Sequence, residues 1–205
     1  DRLSASGAGY PLEPLAERMR SAHVAGVRFD GAIVDNAAKV LKRSNPSAAL
    51  APPNAIHTLL DAGVDLISLA NEHALDGGIL GLRNTLRVLD THGIRVVGAG
   101  VDDQAARAPA VVDVNGTRIG MVAYCDRHPE FSATPDRAGI AYLTARDHEA
   151  LVSHLRNDLQ RLPAPDVEWP ILSLHWGGHL AKRPTTFQEQ VAHAAIDAGW
   201  KIVFG

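Results

Sequence analysis

The sequence predicts an α/β fold built on a mostly parallel sheet, with one β-hairpin. Three segments repeat the same order, in which an amphipathic helix is followed by a glycine and then by a buried strand. This alternation is typical of βα units, whose strands lie parallel in one sheet. Asn115-Gly116, between two runs rich in β-branched residues, is a preferred type I′ hairpin turn. The 205 residues are enough for one sizeable domain, which we predict to span residues 1–205.

The first half of the chain carries two of the three helix–glycine–strand units. Gly63 and Gly93 each follow a helical pattern directly, at the position where a left-handed residue commonly ends a helix. Between them, apolar side chains three and four residues apart form one stripe of a helix. The predicted elements are a helix at 14–25, a strand at 29–34, a helix at 54–62, a strand at 64–70, a helix at 79–92 and a strand at 94–97.

The second half adds the hairpin and the third unit. Thr186 and Glu189 have the spacing of a capping box, and Gly199 ends the helix that they begin. Residues 125–143 are predicted to form a long loop, and loops of that length are often functional. The predicted elements are hairpin strands at 109–114 and 117–124, a helix at 144–162, a strand at 169–174, a helix at 186–198 and a strand at 201–204.

Composition excludes several classes of function. The formal charge is −3, from 20 Lys and Arg against 23 Asp and Glu, and no long basic run is present, so nucleic-acid binding is not expected. Cys125 is the single cysteine, which excludes an intramolecular disulfide and a CxxC motif. No apolar run reaches about 18 residues, so we expect no membrane span within this chain. The segment GAG at 98–100 lacks the third glycine of a dinucleotide-binding turn, which favours a simple tight turn.

The stretch SLANEHALDGG at residues 68–78 concentrates polar chemistry at the end of a predicted strand. The apolar run stops at Asn71, Glu72 and His73, and Asp76 follows before the next helix. In an open α/β sheet, ligands bind at the carboxyl ends of the strands. Asn oxygen and His nitrogen are ligands for transition metals, and a His beside a metal can act as a general acid. The structural alternative is an N-cap and turn, with Asp76 either orienting His73 or capping the next helix.

A second strand tip, HWGGH at residues 175–179, carries two histidines. His175 directly follows an apolar strand, and this position favours a functional role. His179 lies beyond two glycines, where an ordinary loop histidine is the simpler interpretation. Asp126 and His128 follow a further strand, and they either line a pocket or reflect the usual polarity of a loop.

These motifs resemble those of one known family, the CapA-type poly-γ-glutamate capsule biosynthesis family. The run at 69–78 resembles the family motif LANNHxLDxGxxGLxxTL, and later runs resemble its GI…GAG segment and its HWG…P…Q…AHxLIDAG block. The resemblance covers roughly residues 50–205, with the motifs in the family's order. The runs that carry it are LANEHALDGG at 69–78, GAG at 98–100, HWGG at 175–178 and IDAG at 196–199.

The resemblance implies a metallophosphatase-like α/β sandwich with a two-metal site. In the family pattern, Asn71 and His175 correspond to ligands of divalent metal ions, for which Mn, Zn and Fe are the candidates. His73 corresponds to the acid near the substrate, and Asp76 is grouped with it as the second catalytic candidate. The resemblance therefore places two metal ligands and one catalytic acid on the two strand tips, with Asp76 as the residue that could orient that acid.

The sequence also departs from the family pattern. Glu72 replaces the second Asn of the NNH motif, and His179 stands near the position of an acidic residue that often follows HWG. The family's opening GD motif and closing GHxH motif are missing, so we expect a domain that is incomplete at both ends. Glu72, His179 and Arg183 are the candidate substrate-binding residues, and Lys182-Arg183 is the basic pair nearest to the second strand tip.

Two functional hypotheses follow. The first is a CapA-like, metal-dependent hydrolase or amide-bond enzyme that acts on a γ-glutamyl or phosphorylated substrate. The second is a non-catalytic assembly or export component of capsule synthesis that binds polyglutamate. The resemblance suggests a role at the cell surface, while the residues themselves leave a cytoplasmic location open.

Overall fold

Two main sheets with helices packed on them form the framework of the protein. Most neighbouring strands are parallel, and one pair forms a hairpin, so the predicted α/β class with a mostly parallel sheet is confirmed. None of the helices in the described residues is long and apolar enough to cross a membrane. The structure is a computed structural model, and it describes residues 12–35, 48–144, 147–162, 167–178 and 181–205.

Apart from two segments, the predicted helices and strands are present in the predicted order, most with shorter bounds. The strand predicted at 29–34 is wrong in its bounds, because two short strands, Gly26–Arg28 and Ala32–Ile33, are present there. The loop predicted at 125–143 contains a 3₁₀ helix, Pro129–Phe131, and a strand, Gly139–Ile140. The helices are α1 Glu13–Ser21, α2 Ile56–Asp61, α3 Gly78–Thr91, α4 Asp103–Ala106, α5 His148–Arg161 and α6 Thr186–Ala198. The strands are β1 Gly26–Arg28, β2 Ala32–Ile33, β3 Leu50–Ala51, β4 Leu66–Ser68, β5 Arg95–Val97, β6 Ala99–Gly100, β7 Ala110–Val114, β8 Thr117–Cys125, β9 Gly139–Ile140, β10 Trp169–His175 and β11 Ile202–Phe204.

The first main sheet is entirely parallel, with β4 between β1 and β5. The helices α2 and α3 lead into β4 and β5 through Gly63 and Gly93, whose φ angles are +73° and +74°. Gly199 has a φ of +120° between α6 and β11. The three helix–glycine–strand units predicted from the sequence are therefore present, and each turn uses a backbone conformation that glycine adopts without steric cost.

The second main sheet has the order β11-β10-β8-β7. Its strands are parallel except for the β7–β8 hairpin, which is antiparallel. Asn115 and Gly116 connect the hairpin with φ angles of +54° and +86°, as a type I′ turn requires. The predicted hairpin and its turn are confirmed.

The side chains of β8 alternate between two hydrophobic clusters. Met121 and Ala123 belong to the cluster that contains the first sheet with α2 and α3, whereas Val122 and Tyr124 belong to the cluster formed with α5 and α6. The strand period of two puts Cys125 with Met121 and Ala123. The last residue of β8 therefore lies in the core that the two sheets share.

A close contact at Gly98 fixes the turn after β5. Its φ angle is +82°, and a Cβ atom added there would lie 2.5 Å from Cβ of Ala70 and 3.0 Å from Cβ of Ala123. Only glycine fits this point, where the turn passes between the residues after β4 and strand β8. The tight turn predicted at 98–100 is confined to Gly98, because Ala99 and Gly100 form strand β6.

A buried polar network ties β8 to α5 on the other side of the second sheet. The Tyr124 hydroxyl donates a hydrogen bond to Asp158, whose side chain is 5% exposed. His154 Nε2 lies 3.2 Å from the same carboxylate and 2.8 Å from Nη1 of Arg107. Burial acts to raise the pKa of Asp158, but the neighbouring His154, the hydrogen bond from Tyr124 and the positive charge of Arg107 outweigh it and hold that pKa below its ordinary value. Burial, helped by the Asp158 charge, raises the pKa of Tyr124 well above its ordinary value.

The starts of three helices differ from the prediction. Helix α2 begins at Ile56, two residues after the predicted start at 54, and a 3₁₀ helix, Pro53–Ala55, precedes it. The capping box of α6 is formed by Thr185 and Gln188, so the predicted pair of Thr186 and Glu189 is wrong by one residue. The sequence TTFQEQ contains both pairs at the same spacing, and only the path of the preceding loop selects between them. Similarly, Asp147 caps α5, three residues after the predicted start at 144.

Candidate functional site

The carboxyl ends of β4, β8 and β10 meet at one edge of the fold. His175 and Cys125, the last residues of β10 and β8, are paired neighbours in the parallel register. After β4 the chain enters a short 3₁₀ helix, Glu72–Leu75, from which Glu72 reaches His175 with 2.8 Å between Oε2 and Nε2. The structure therefore brings together the two strand tips that the sequence singled out.

The hydrogen bonds of His175 determine which ring nitrogen carries the proton. Nη1 of Arg28 lies 3.0 Å from Nδ1, and because a guanidinium group can only donate, Nδ1 is the acceptor. Nε2 therefore carries the proton and donates it to the Glu72 carboxylate. The side chains of His175 and Glu72 are each 21% exposed, so the pair is largely buried but still accessible to water.

Two guanidinium groups flank the Glu72–His175 pair. Arg28 is also paired with Asp30, with 2.8 Å between Nε and Oδ1. Nη1 of Arg127 lies 3.8 Å from Oε1 of Glu72. Burial acts to raise the pKa of Glu72, but its own backbone N–H, His175 and Arg127 together outweigh burial and hold that pKa below its ordinary value. The site therefore contains a carboxylate that contacts His175 and Arg127, while Arg28 contacts the other ring nitrogen of His175.

Asn71 caps the turn that carries Glu72. Its side chain is fully buried; Oδ1 accepts from the backbone N–H of Ala74, and Nδ2 donates to the carbonyl of Phe29. These two bonds fix the turn after β4 against the segment after β1. The N-cap alternative considered for Asn71 is thus present, and its predicted role as a metal ligand stays a prediction.

His73 and Asp76 form a second pair on the same turn. Nδ1 of His73 lies 2.8 Å from Oδ2 of Asp76, and that oxygen also accepts from the backbone N–H of Ala49. Helix α3 follows Gly77 without a side-chain cap, so Asp76 orients His73 and does not cap the helix. His73 Nε2 has no hydrogen bond within the described residues, and the side chain is 38% exposed. The imidazole can therefore exchange a proton with a bound molecule through Nε2.

Sequence reasoning gave no role to Cys125, yet the structure places it in the site. Its Sγ, an oxygen of Glu72 and a ring nitrogen of His175 all lie within 4.8 Å of one another, an arrangement that could hold a metal ion. Burial raises the pKa of the Cys125 thiol to about 12. Burial likewise raises the pKa of Asp126, which follows Cys125. Their position in the sequence could have indicated a site, because Cys125 and Asp126 stand at the end of an apolar strand, as Asn71 and Glu72 do.

Of the other predicted substrate-binding residues, one lines a neighbouring pocket and one lies outside the described residues. Arg183 is exposed and lines an open pocket of about 350 Å³ together with Lys182, Trp176 and Gln188. Trp176 directly follows His175, so the pocket adjoins the strand tips on the side of α6. His179 lies outside the described residues, and its predicted role stays a prediction.

Proteins named for polyglutamine synthesis, capsule biosynthesis and PGA biosynthesis match this chain. A probable polyglutamine synthesis accessory protein of Mycobacterium tuberculosis is 33% identical over 167 residues, which are 75% of this chain and 41% of that protein. The capsule biosynthesis protein CapA of Bacillus anthracis is 21% identical over 201 residues, which are 97% of this chain and 48% of that protein. The PGA biosynthesis protein CapA of Bacillus subtilis is 25% identical over 152 residues, which are 73% of this chain and 38% of that protein.

These matches agree with the resemblance seen in the motifs at the strand tips. The chain spans half the length or less of the curated relatives it matches. The model of the family described as bacterial capsule synthesis protein PGA_cap matches residues 2–205. This chain therefore belongs to the bacterial capsule synthesis protein family PGA_cap.

Proposed function

We propose that this chain carries a metal-dependent hydrolase or amide-bond site that acts on a γ-glutamyl or phosphorylated substrate in capsule synthesis. The observation that carries the proposal is the Glu72–His175 contact, which joins two strand tips beside the His73–Asp76 pair. Two possible metal ligands, Glu72 and His175, thus lie near the His73 imidazole, which Asp76 orients. Metal-dependent hydrolysis can use such a pair, with the cation activating water and the imidazole transferring a proton.

Glu72 and His175 are the residues that we assign to a divalent metal ion. Carboxylate oxygen and imidazole nitrogen are both suitable ligands, and they already face each other at 2.8 Å. Asn71 supports the site by capping the turn that holds Glu72. A metal ion bound there would activate water and stabilise developing negative charge.

His73 supplies the proton to the leaving group. Its Nδ1–H is held by Asp76, and the backbone N–H of Ala49 holds Asp76 in turn. In its imidazolium form, a histidine fixed in this way keeps Nδ1–H on the carboxylate and delivers the Nε2 proton to the leaving group; the carboxylate orients the ring and stabilises its positive charge. Asp76 acts through His73 and is therefore a positioning residue.

The charges around the site favour an anionic substrate. Arg127 places a guanidinium group near Glu72 and Arg28 places one on His175, and such groups match carboxylate and phosphate oxygens. A γ-glutamyl group carries a free α-carboxylate, and a phosphorylated substrate carries phosphate oxygens. The names of the Bacillus relatives, which refer to capsule and PGA biosynthesis, favour the γ-glutamyl class.

The test is turnover of a γ-glutamyl amide and of an aryl phosphate by the purified protein, with and without added Mn²⁺ or Zn²⁺. We expect His73→Ala and His175→Ala each to lower turnover about a hundredfold or more, the scale of lost general-acid catalysis. His57→Ala, an exposed histidine on α2, is the matched control and should keep the wild-type rate. Wild-type rates in both site variants would contradict the proposal.

A second candidate is a non-catalytic component that binds polyglutamate. The pocket beside Trp176, with Lys182 and Arg183 on its wall, favours it because these two cations would attract a polyanion. Polymer binding that persists in a chelator, weakens in the double variant Lys182→Ala/Arg183→Ala and occurs without hydrolysis would favour this candidate over the enzyme.

A further inference from the structure

Cys125 lies in the candidate site but has no role in the proposed hydrolase mechanism. It is fully buried at the end of β8, and its neighbour across the parallel pair is His175. A buried cysteine is usually a small apolar core residue. Here, however, a carboxylate and an imidazole stand close to its sulfur, which is unusual for a simple packing residue.

The spacing of the three side chains suits a tetrahedral metal site. The ligand atoms of Glu72, Cys125 and His175 lie within 4.8 Å of one another. In a tetrahedral zinc site with bonds of about 2.0–2.3 Å, ligand atoms are about 3.5 Å apart, so shifts of about 1 Å would complete it. Three protein ligands leave a fourth position open, as catalytic zinc sites do.

We propose that Glu72, Cys125 and His175 form a three-ligand zinc site in which the Cys125 thiolate selects the metal. This inference rests on the proposed function, since it names the metal of the same site. Thiolate sulfur favours zinc over magnesium, calcium and manganese, which prefer oxygen ligands. The backbone N–H of Arg127 lies 3.4 Å from Sγ and donates to it, and such outer hydrogen bonds orient and stabilise a metal ligand.

Zinc binding releases the thiol proton of Cys125 to solvent, moves the imidazole proton of His175 from Nε2 to Nδ1, and displaces one competing cation. In the present arrangement, the Nε2–H of His175 bridges to Glu72 while Arg28 donates to Nδ1. A ring that binds zinc through Nε2 carries its proton on Nδ1, so Arg28 must release that nitrogen. The Arg28 side chain is 41% exposed and also pairs with Asp30, so it can leave His175 and keep an ion-pair partner. Arg28 is therefore a side chain whose removal strengthens zinc binding.

The experiment is a titration of the metal-free protein with Co²⁺, followed by competition with Zn²⁺. Cobalt bound to a thiolate gives a near-ultraviolet sulfur-to-cobalt charge-transfer band, which oxygen and nitrogen ligands do not produce. We expect the band in the wild-type protein and its loss on adding Zn²⁺. Cys125→Ser should lack the band and bind Zn²⁺ at least about tenfold more weakly, and Asp126→Asn, a neighbouring carboxylate outside the group, should keep the band.

A second pair of variants tests the competing cation. Arg28→Met should bind Zn²⁺ several-fold more tightly than the wild type, because the positive charge and the donor to Nδ1 are both removed. Arg87→Met removes the same charge from the exposed surface of α3 and should leave the affinity unchanged. Weaker zinc binding in Arg28→Met would contradict the arrangement proposed for His175.

The outcomes separate this inference from the proposed function. Cobalt binding without the charge-transfer band overturns the thiolate site, while metal-dependent turnover would leave the hydrolase standing. A band that survives Cys125→Ser also overturns it, because Cys125 is the single cysteine. No binding of Co²⁺, Zn²⁺ or Mn²⁺ would overturn both proposals. The wild-type spectrum decides the main point even if the serine variant does not fold.

Discussion

Removing one hydroxyl group from Tyr124 tests how the site-bearing strand is held. Tyr124 directly precedes Cys125 on β8, and its hydroxyl donates to the buried carboxylate of Asp158 on α5. Tyr124→Phe keeps the ring in the core and deletes only this bond. A hydrogen bond to a charged group contributes about 1.5–3 kcal/mol, so we expect the free energy of unfolding to fall by about 2 kcal/mol.

The assay is thermal unfolding followed by circular dichroism at pH 7. For a chain of this length, each kcal/mol corresponds to about 2–4 °C in Tm, so Tyr124→Phe should unfold about 4–8 °C below the wild type. Tyr142→Phe is the matched control, because no hydrogen bond of its hydroxyl is present in the described residues. A Tyr124→Phe variant as stable as the control would refute the reasoning.

The pH dependence gives a second check with a defined sign. Because the pKa of Asp158 is held low in the folded state, its contribution is present above the unfolded value of about 3.9 and is lost as the pH falls below it. The difference between Tyr124→Phe and wild type should therefore narrow in acid. Because the pKa of Tyr124 is raised, its contribution is present below about pH 10 and is lost as the pH rises further, an alkaline loss that the phenylalanine variant lacks.

Three further predictions concern the strand tips. Asn71→Ala should lower the free energy of unfolding, measured by urea titration, by about 2 kcal/mol or more, because it removes the N-cap and the donor to Phe29. Asn71→Asp keeps the cap and should lower the free energy of unfolding by less. Gly98→Ala should lower the free energy of unfolding by about 3 kcal/mol, because of backbone strain and the close contact with Ala70. Gly116→Ala should lower it clearly less, because the added Cβ meets nothing within 4 Å. Equal losses in the two variants would contradict the role of the Ala70 contact. Native Cys125 should react with iodoacetamide only at the rate of unfolding, because it is fully buried and its pKa is raised to about 12; rapid labelling of the native protein would contradict its placement.

Some features of the site could not be derived from local sequence. The capping box at the start of α6 shows the reason on a small scale, because Thr185 and Thr186 offer equivalent patterns and only the tertiary path of the loop selects the first. Asn71 and Asp76 show it at the site. The sequence left each of these two residues with a structural and a functional interpretation. In the structure, Asn71 bonds to the distant Phe29, and Asp76 bonds to His73 on the same turn and to the distant Ala49.

The sequence by itself determined the helix–glycine–strand units, the hairpin and the two polar strand tips. These features depend on local backbone physics: a glycine that tolerates positive φ after a helix, an Asn-Gly turn, and an apolar strand that ends in polar residues. Only the tertiary structure decided the composition of the site, because β8 and β10 are paired in register and β4 belongs to the other sheet. That arrangement places Cys125, His175 and Glu72 together, although they are separated by dozens of residues in the chain. Such proximity arises from sheet pairing and core packing, which no local pattern encodes.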